Sequence, residues 1–577
     1  MRITSLGRSE APPETSPTTR STRVANPGQW RLLVLDCLPI LALALIGVVV
    51  LHPVFGAGFV LVDDHEILAF SEAATNDPQL GKPESLFEEV FIQDPALGRV
   101  RPTYWLIRFA QIAVLGNHAV AWHAFYVLIG IVSGWLMFAT LRLAGSGSLP
   151  ALIAALWLLV APGVSSVWFR LGPVEGLGTT LVLLAAWAAA RGAAPGSRAA
   201  WDWLHVITLC ASFFVKESFT LVAPAFVGFR LLVRYQLGGR AGLMSSRAFV
   251  AALIPLVAGL FGLLIVYFTV TRSGAASYGG RVFAAAGAIL NEQTRINLEI
   301  ITWLGGTVVP LLALGVLIEA IRRRRATPAI KSWCVGAVIF GLLVIPQLML
   351  YQGGAGFAVG RYILPTGIAL AAGVAAGLTW LHAQRNRPLF VIITTIWVAN
   401  LLVFSVWTWR DAELFRADSA QLTRTLDAIV GSAPPGATVA IAADPVETEE
   451  FAVSFPYQIA ATGRSDLDTR LLAVPSYGSG TVAAQAGAAV AQRYFPGRAD
   501  VAERGCSGIA AVVLFASESQ TRQALPCLSE TEFQMTLYLE TVTIPDLAPP
   551  FLRQLFPSQV VGYSILIRAD LLNRPGS

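Results

Sequence analysis

Between residues 32 and 408 the chain returns repeatedly to apolar runs of about 20 residues, the length that crosses a bilayer as a helix. Nothing else in the sequence constrains the fold as strongly. A backbone inside lipid must satisfy its own hydrogen bonds, so repeated runs of this kind predict a bundle of spanning helices. About eleven are expected, near 32–52, 119–142, 150–168, 174–191, 203–219, 220–235, 249–270, 299–321, 332–351, 362–382 and 389–408. Composition agrees. Of the 577 residues 55% are hydrophobic and only 13% charged, against about 25% charged in a soluble protein. The net charge of +5 reflects basic loops rather than nucleic-acid binding. No cleavable signal is evident, and the first apolar run reads as a retained helix after a polar tail, residues 1–31.

Basic residues set the expected orientation. With the N-terminus cytoplasmic, the inside segments hold Arg142, then Arg191 and Arg198, then Arg234, Arg240 and Arg247, then Arg322 to Arg325, then Arg385 and Arg387. The C-terminal region then lies periplasmic or extracellular. Residues 32–408 form the expected membrane domain, with a long acidic first outside loop over 53–118. Within it, Phe87, Val90 and Phe91 are expected on one face of a short amphipathic piece, and 103–114 as a helix lying in the outer interface. Residues 409–577 read as a soluble α/β domain, with strands at 438–442 and 510–515 and an alanine-rich helix at 483–494. Cys37, Cys210 and Cys334 fall in apolar runs and read as core residues. Cys506 and Cys527 could pair if their domain is outside, although spacing alone does not establish it.

The residues that invite chemistry gather at the outside ends of the spans. Asp63 and Asp64 stand side by side in V-D-D-H-E-I, backed by His65 and Glu66. Ionisable groups at a membrane boundary are costly and are functional candidates for that reason. Arg101 and Arg108 follow in the same loop, Glu175 lies between the third and fourth spans, Lys216 and Glu217 between the fifth and sixth, and Arg361 and Tyr362 open the tenth. A carboxylate can take a proton from an acceptor hydroxyl. Arg and Lys can hold a phosphate and stabilise it as a leaving group. Asp64 with His65 could also bind a divalent metal such as Mg or Mn. Bland readings stand beside each: a solvated acidic loop, a local Lys216–Glu217 pair, a snorkelling Arg361.

These motifs, in order, resemble the GT-C superfamily of integral-membrane glycosyltransferases. The similarity is to the protein O-mannosyltransferase and transmembrane O-mannosyltransferase branch. It is carried by the acidic pair in the first outside loop, by Arg101-Pro102, by His123 with Tyr126 where Asn is usual, by Lys216-Glu217, and by Arg361-Tyr362 with Pro365. The turn S-S-V-W-F-R-L-G-P-V-E departs from the pattern, with Glu175 displaced. The resemblance implies inverting transfer of a sugar from a polyprenyl-phosphate donor to a lipid, glycan or protein acceptor on the outer face of a bacterial inner membrane. It implies Asp63 or Asp64 as general base, and Arg101, Lys216 and Arg361 as phosphate contacts. Neighbouring side chains in extended backbone point opposite ways, so one aspartate is expected to face the site while the other holds the loop. Asp64 is slightly favoured as the base for its proximity to His65. A lipid-linked-substrate flippase and a non-catalytic scaffold are the rival readings. The first would need charges near mid-span and inverted repeats.

Overall fold

The computed structural model describes residues 27–61, 64–70, 86–96, 99–194, 196–243, 245–273, 364–383, 387–444, 448–474, 508–543 and 557–572, with Cys506 and a few positions between 336 and 343. Asp63, Arg361, Tyr362, the spans expected at 299–321 and over most of 332–351, and the helix expected at 483–494 lie outside the described residues. The chain divides into two units, Met1–Ala42 and Leu43–Ser577. The first holds the opening of helix α1 (Pro27–Leu51); every later element belongs to the second.

Seven helices among the described residues are long and apolar enough to cross a membrane. With α1 they include α3 (Ala119–Leu143), α5 (Glu175–Ala193), α7 (Ala223–Leu243) with the turn leading into it, α8 (Ser246–Ser273), α9 (Leu364–Ala383) and α10 (Arg387–Ser432). The protein is therefore a mostly helical integral membrane protein. Two expected spans are shorter than anticipated. Helix α4 (Ser148–Val160) stops where Pro162 and Gly163 turn the chain, the latter at φ 74°, into a short helical turn at Ser165–Trp168. Helix α6 (Ala199–Phe213) ends before the Lys216-Glu217 turn. The apolar run continues through both breaks, so composition overstated the helix length.

The membrane core is built on the tryptophans of α4 and the turn after it. Trp157 and Trp168 are fully buried among α3, α5, α9 and α10, with Phe169 and Phe219 beside them. Small residues let the helices close. A methyl group on Gly178 of α5 would come within 2.3 Å of the Phe219 ring, and one on Gly130 of α3 within 2.9 Å of Trp168.

Helix α10 is the link to the soluble domain. Its 46 residues extend about 69 Å, more than twice the hydrocarbon thickness of about 30 Å. Polarity rises after residue 408 and marks the end of the apolar stretch, but the helix runs on to Ser432. That second half carries Leu422, Leu426 and Ile429 against the sheet.

The sheet has five strands in the order β2-β1-β3-β5-β4. Strands β1 (Thr438–Ala443), β2 (Asp468–Ala473) and β3 (Ile509–Leu514) are parallel, and β4 (Phe533–Val542) and β5 (Gln559–Arg568) add an antiparallel edge. Helix α11 (Glu449–Ala461) crosses from β1 to β2, and α12 (Glu518–Ala524) follows β3. Strand alternation divides the inner residues: Val439, Ile441, Ala511, Val513, Ile565 and Ile567 pack toward α10 and α11, while Ala440, Ala442, Val512 and Leu566 pack on the other face. A disulfide joins Cys506 and Cys527 on that second face, with Cα atoms 5.8 Å apart. Leu61 and Leu68 of the first outside loop sit in the core beside α10 and α11, which fixes that loop against the soluble domain.

Candidate functional site

The first outside loop is held from three directions. Gly58 N–H donates to Ser419 Oγ of α10 at 2.6 Å. A ring nitrogen of His123 lies 3.3 Å from the Gly58 carbonyl while the other lies 3.0 Å from that of Phe169. Gln458 of α11 donates to the Val60 carbonyl at 3.0 Å. Membrane helix, long helix and soluble domain thus converge on the residues just before the acidic pair.

Asp64 is fully buried and turns back on this loop. Its Oδ2 accepts the Val60 N–H at 2.8 Å. Its carbonyl accepts the N–H groups of Ile67 and Leu68 at 3.0 and 3.2 Å, opening the short helix His65–Leu68. Among the described residues no group of three His, Cys, Asp or Glu side chains is placed to hold a metal ion. The His65 side chain and Asp63 lie outside the described residues. Asp64 commits one carboxylate oxygen to the Val60 N–H of its own loop.

Glu66 faces helix α2 (Pro102–Leu115). Tyr104 O–H donates to Glu66, Arg108 Nε donates to Tyr104 Oη at 2.9 Å, and Arg108 Nη2 lies 3.8 Å from the Glu66 carboxylate. Burial pushes the Tyr104 phenol well above its ordinary pKa, so it remains a proton donor to Glu66. Arg108 is fully buried and reaches the Leu171 carbonyl at 2.7 Å. Its guanidinium carbon lies 5.4 Å from the Trp122 ring centre.

Arg101 enters α2 as a bidentate partner of buried Asp94, at 3.1 and 2.7 Å. Burial works most strongly against its charge, but Asp94, Glu66 and Tyr104 together outweigh burial and hold the guanidinium pKa above its ordinary value. Lys216 pairs with buried Glu175. Glu217 accepts the Val100 N–H at 3.0 Å, and the Phe214 carbonyl accepts the N–H groups of Thr103 and Tyr104 at 3.1 and 3.3 Å. The α6–α7 turn therefore grips the start of α2 and brings Lys216 toward Arg101.

The structure gathers Glu66, Arg101, Glu175, Lys216 and Glu217 around the start of α2, with Asp64 two residues before Glu66 in the loop. One expectation for the loop is corrected. Phe87 and Phe91 are exposed, with tilted rings 4.8 Å apart, while Val90 is buried, so the three do not share a face. In α2 the buried residues are Tyr104, Trp105, Arg108 and Gln111, whereas Leu106 and Val114 are exposed. Tyr104 and Arg108 are inside because they partner each other, Glu66 and the Leu171 carbonyl there. Asp94 was missed as a partner of Arg101; the Asp94-Pro95 step, a turn signal shortly before an arginine, was its one local sign. Ser419 and Gln458 left no local sign, since they reach the loop from more than 350 residues away.

No protein-family model and no curated protein matches the chain. Among solved structures it is similar to ArnT from Cupriavidus metallidurans bound to undecaprenyl phosphate, at 14% identity and TM-score 0.49 over 95% of this chain and 100% of that one. It is also similar to the archaeal oligosaccharyltransferase AglB from Archaeoglobus fulgidus in complex with an inhibitory peptide and a dolichol-phosphate. That likeness has 10% identity and TM-score 0.41 over 94% of this chain and 77% of that one. Overlaps of this depth decide neither substrate nor mechanism, which rest on the residues.

Proposed function

We propose that the protein is a membrane glycosyltransferase of the GT-C kind, moving a sugar from a polyprenyl-phosphate donor to an acceptor hydroxyl on the outer face of a bacterial inner membrane. The observation that supports this best is the convergence of Glu66, Arg101, Arg108 and Lys216 on one end of α2, beside the loop that bears the acidic pair. A transferase of this kind needs cations for a leaving phosphate next to a base for an incoming hydroxyl. Lys216 and Arg101 are held in place by Glu175 and Asp94, so either could exchange a carboxylate for a phosphate without a large rearrangement. Arg361 is the third phosphate contact in this reading.

The base is Asp63. Asp64 is committed to Val60 and to the turn it opens, which is the loop-holding role expected of one member of the pair. In the reaction Asp63 takes the acceptor hydroxyl proton as that oxygen attacks the anomeric carbon. The bond from that carbon to the phosphate oxygen breaks on the opposite side, the electron pair leaves with the polyprenyl phosphate, and the anomeric centre inverts. The acceptor is a hydroxyl of a lipid, glycan or protein.

The test uses purified full-length protein in detergent with a panel of radiolabelled polyprenyl-phosphate sugars. Asp63→Asn is expected to lower transfer by about 10²–10⁴-fold, the usual weight of a general base, with unchanged thermal stability. Wild-type protein that is folded yet neither transfers nor hydrolyses any sugar in the panel sinks the reading.

A further inference from the structure

A second charged cluster lies at the far end of α5 from Glu175. The 19 residues of that helix separate the two ends by about 28 Å, close to the hydrocarbon thickness of a bilayer. The second cluster therefore sits at the opposite membrane face. Its centre is Asp202, in the first turn of α6. Three arginines share this one carboxylate: Arg230 at 2.5 Å and Arg234 at 3.3 Å from α7, and Arg247 at 2.8 Å from the start of α8. Among the described residues no other carboxylate pairs with these three arginines.

The charges do not balance. One aspartate neutralises one guanidinium and leaves two positive charges partly removed from water. Arg230 is fully buried, and among the described residues its Nε and Nη1 have no hydrogen-bond partner; neither has Arg234 Nε. Buried charged donors without partners are costly, and the cost is relieved when an anion supplies the missing acceptors. Arg234 also donates to the Gly192 carbonyl at 3.2 Å and to Ser245 Oγ at 3.0 Å, which fixes its fork in place. The Arg247 side chain is 48% exposed and forms the mouth of the site.

We infer that this cluster binds a phosphate group, supplied by the headgroup of an anionic phospholipid in the leaflet on that side. Basic pockets between helices at the cytoplasmic face are suited to such headgroups. The surroundings favour a lipid over a free anion. Trp203, Tyr235 and Phe249 are exposed within two residues of Asp202, Arg234 and Arg247, on the same three helices. They offer an apolar and aromatic margin on which acyl chains can lie. A free phosphate has no use for that margin.

The experiment takes delipidated full-length protein in a neutral detergent. It is titrated with short-chain phosphatidylglycerol, short-chain phosphatidylcholine and inorganic phosphate, with bound adducts read by native mass spectrometry and protection read by thermal unfolding. Phosphatidylglycerol is expected to bind at least about fivefold more tightly than phosphatidylcholine, and Arg247→Gln to lose about fivefold, the weight of one basic residue toward an anionic headgroup. Arg234→Gln should lose at least as much. Arg247 is the more exposed of the two, so its variant decides if Arg234→Gln fails to fold. If neither folds, the wild-type preference decides alone. Inorganic phosphate that protects as well as phosphatidylglycerol and competes it away overturns the lipid source. Equal binding of both lipids without phosphate protection overturns the site, as does phosphatidylglycerol binding unchanged in a folded Arg247→Gln variant.

Discussion

Asp64 turns its carboxylate onto the Val60 N–H four residues earlier, and this small closure divides the labour of the acidic pair. Removing it should cost stability rather than chemistry alone. Asp64→Ala strands a buried N–H, which is worth about 1–3 kcal/mol, so a clear drop in thermal stability is expected where Asp63→Asn shows none. Equal melting temperatures for Asp64→Ala and wild type would remove the structural role. The Tyr104 hydroxyl is a second residue whose loss should be felt, since it donates to Glu66 and accepts from buried Arg108. Tyr104→Phe leaves both without that partner, and the expected loss is again about 1–3 kcal/mol, read by denaturant or thermal unfolding in detergent. At this scale the sequence was legible in residue type but not in pairing. Glu66, Arg101 and Lys216 stood out because charge near a membrane is conspicuous. Tyr104 and Glu175 pair with Glu66 and Lys216 from 38 and 41 residues away, distances that no local pattern records, while Asp94, seven residues before Arg101, left only a turn signal.

Helix periodicity announces which face is apolar, and that rule fails for α2. Its buried side is the one carrying Arg108 and Gln111; Arg108 there meets Glu66 of the first outside loop and the Leu171 carbonyl rather than lipid. The longer apolar helices obey the rule, and there packing becomes the sharper constraint. Gly178 of α5 faces the Phe219 ring so closely that a methyl group would lie 2.3 Å from it. Overpacking of this kind costs about 1–3 kcal/mol, so Gly178→Ala should lower the melting temperature and the yield of folded protein. Gly431, near the end of α10, has nothing within 4 Å of an added methyl. Gly431→Ala should instead be neutral or stabilising by up to about 1 kcal/mol through helix propensity. Two alanine substitutions of opposite sign, measured in the same assay, separate close packing from propensity. Apolar run length located most of the described helices, but it could not show that α4 ends at a Pro-Gly turn or that α10 continues well past the membrane.

Across the whole molecule the sidedness of the two halves is the property on which function depends, and the Cys506–Cys527 disulfide offers a handle on it. The two cysteines are 21 residues apart, and closing a loop of that size stabilises by about 3 kcal/mol. The cross-link lies wholly within the sheet domain, on the face away from α10. Reduction should therefore lower the unfolding temperature of that domain and leave the membrane helices intact. Disulfides persist where the environment is oxidising and are rare in the cytosol. On that ground the sheet domain is expected on the outside, the side on which the basic-residue map places the C-terminal region and on which the proposed acceptor is met. Intact cells treated with a membrane-impermeant maleimide test this directly. Labelling is expected only after a reductant is added, and the Cys506→Ser/Cys527→Ser variant should show none under either condition. Cys37, Cys210 and Cys334 fall in apolar runs and should stay unlabelled throughout, which leaves the sheet-domain pair as the source of the signal. Labelling of Cys506 and Cys527 only after lysis would put the domain inside, and with it the end of α2 where Glu66, Arg101 and Lys216 meet. The outer-face transfer reaction would then have no acceptor to reach, whatever the chemistry of Asp63.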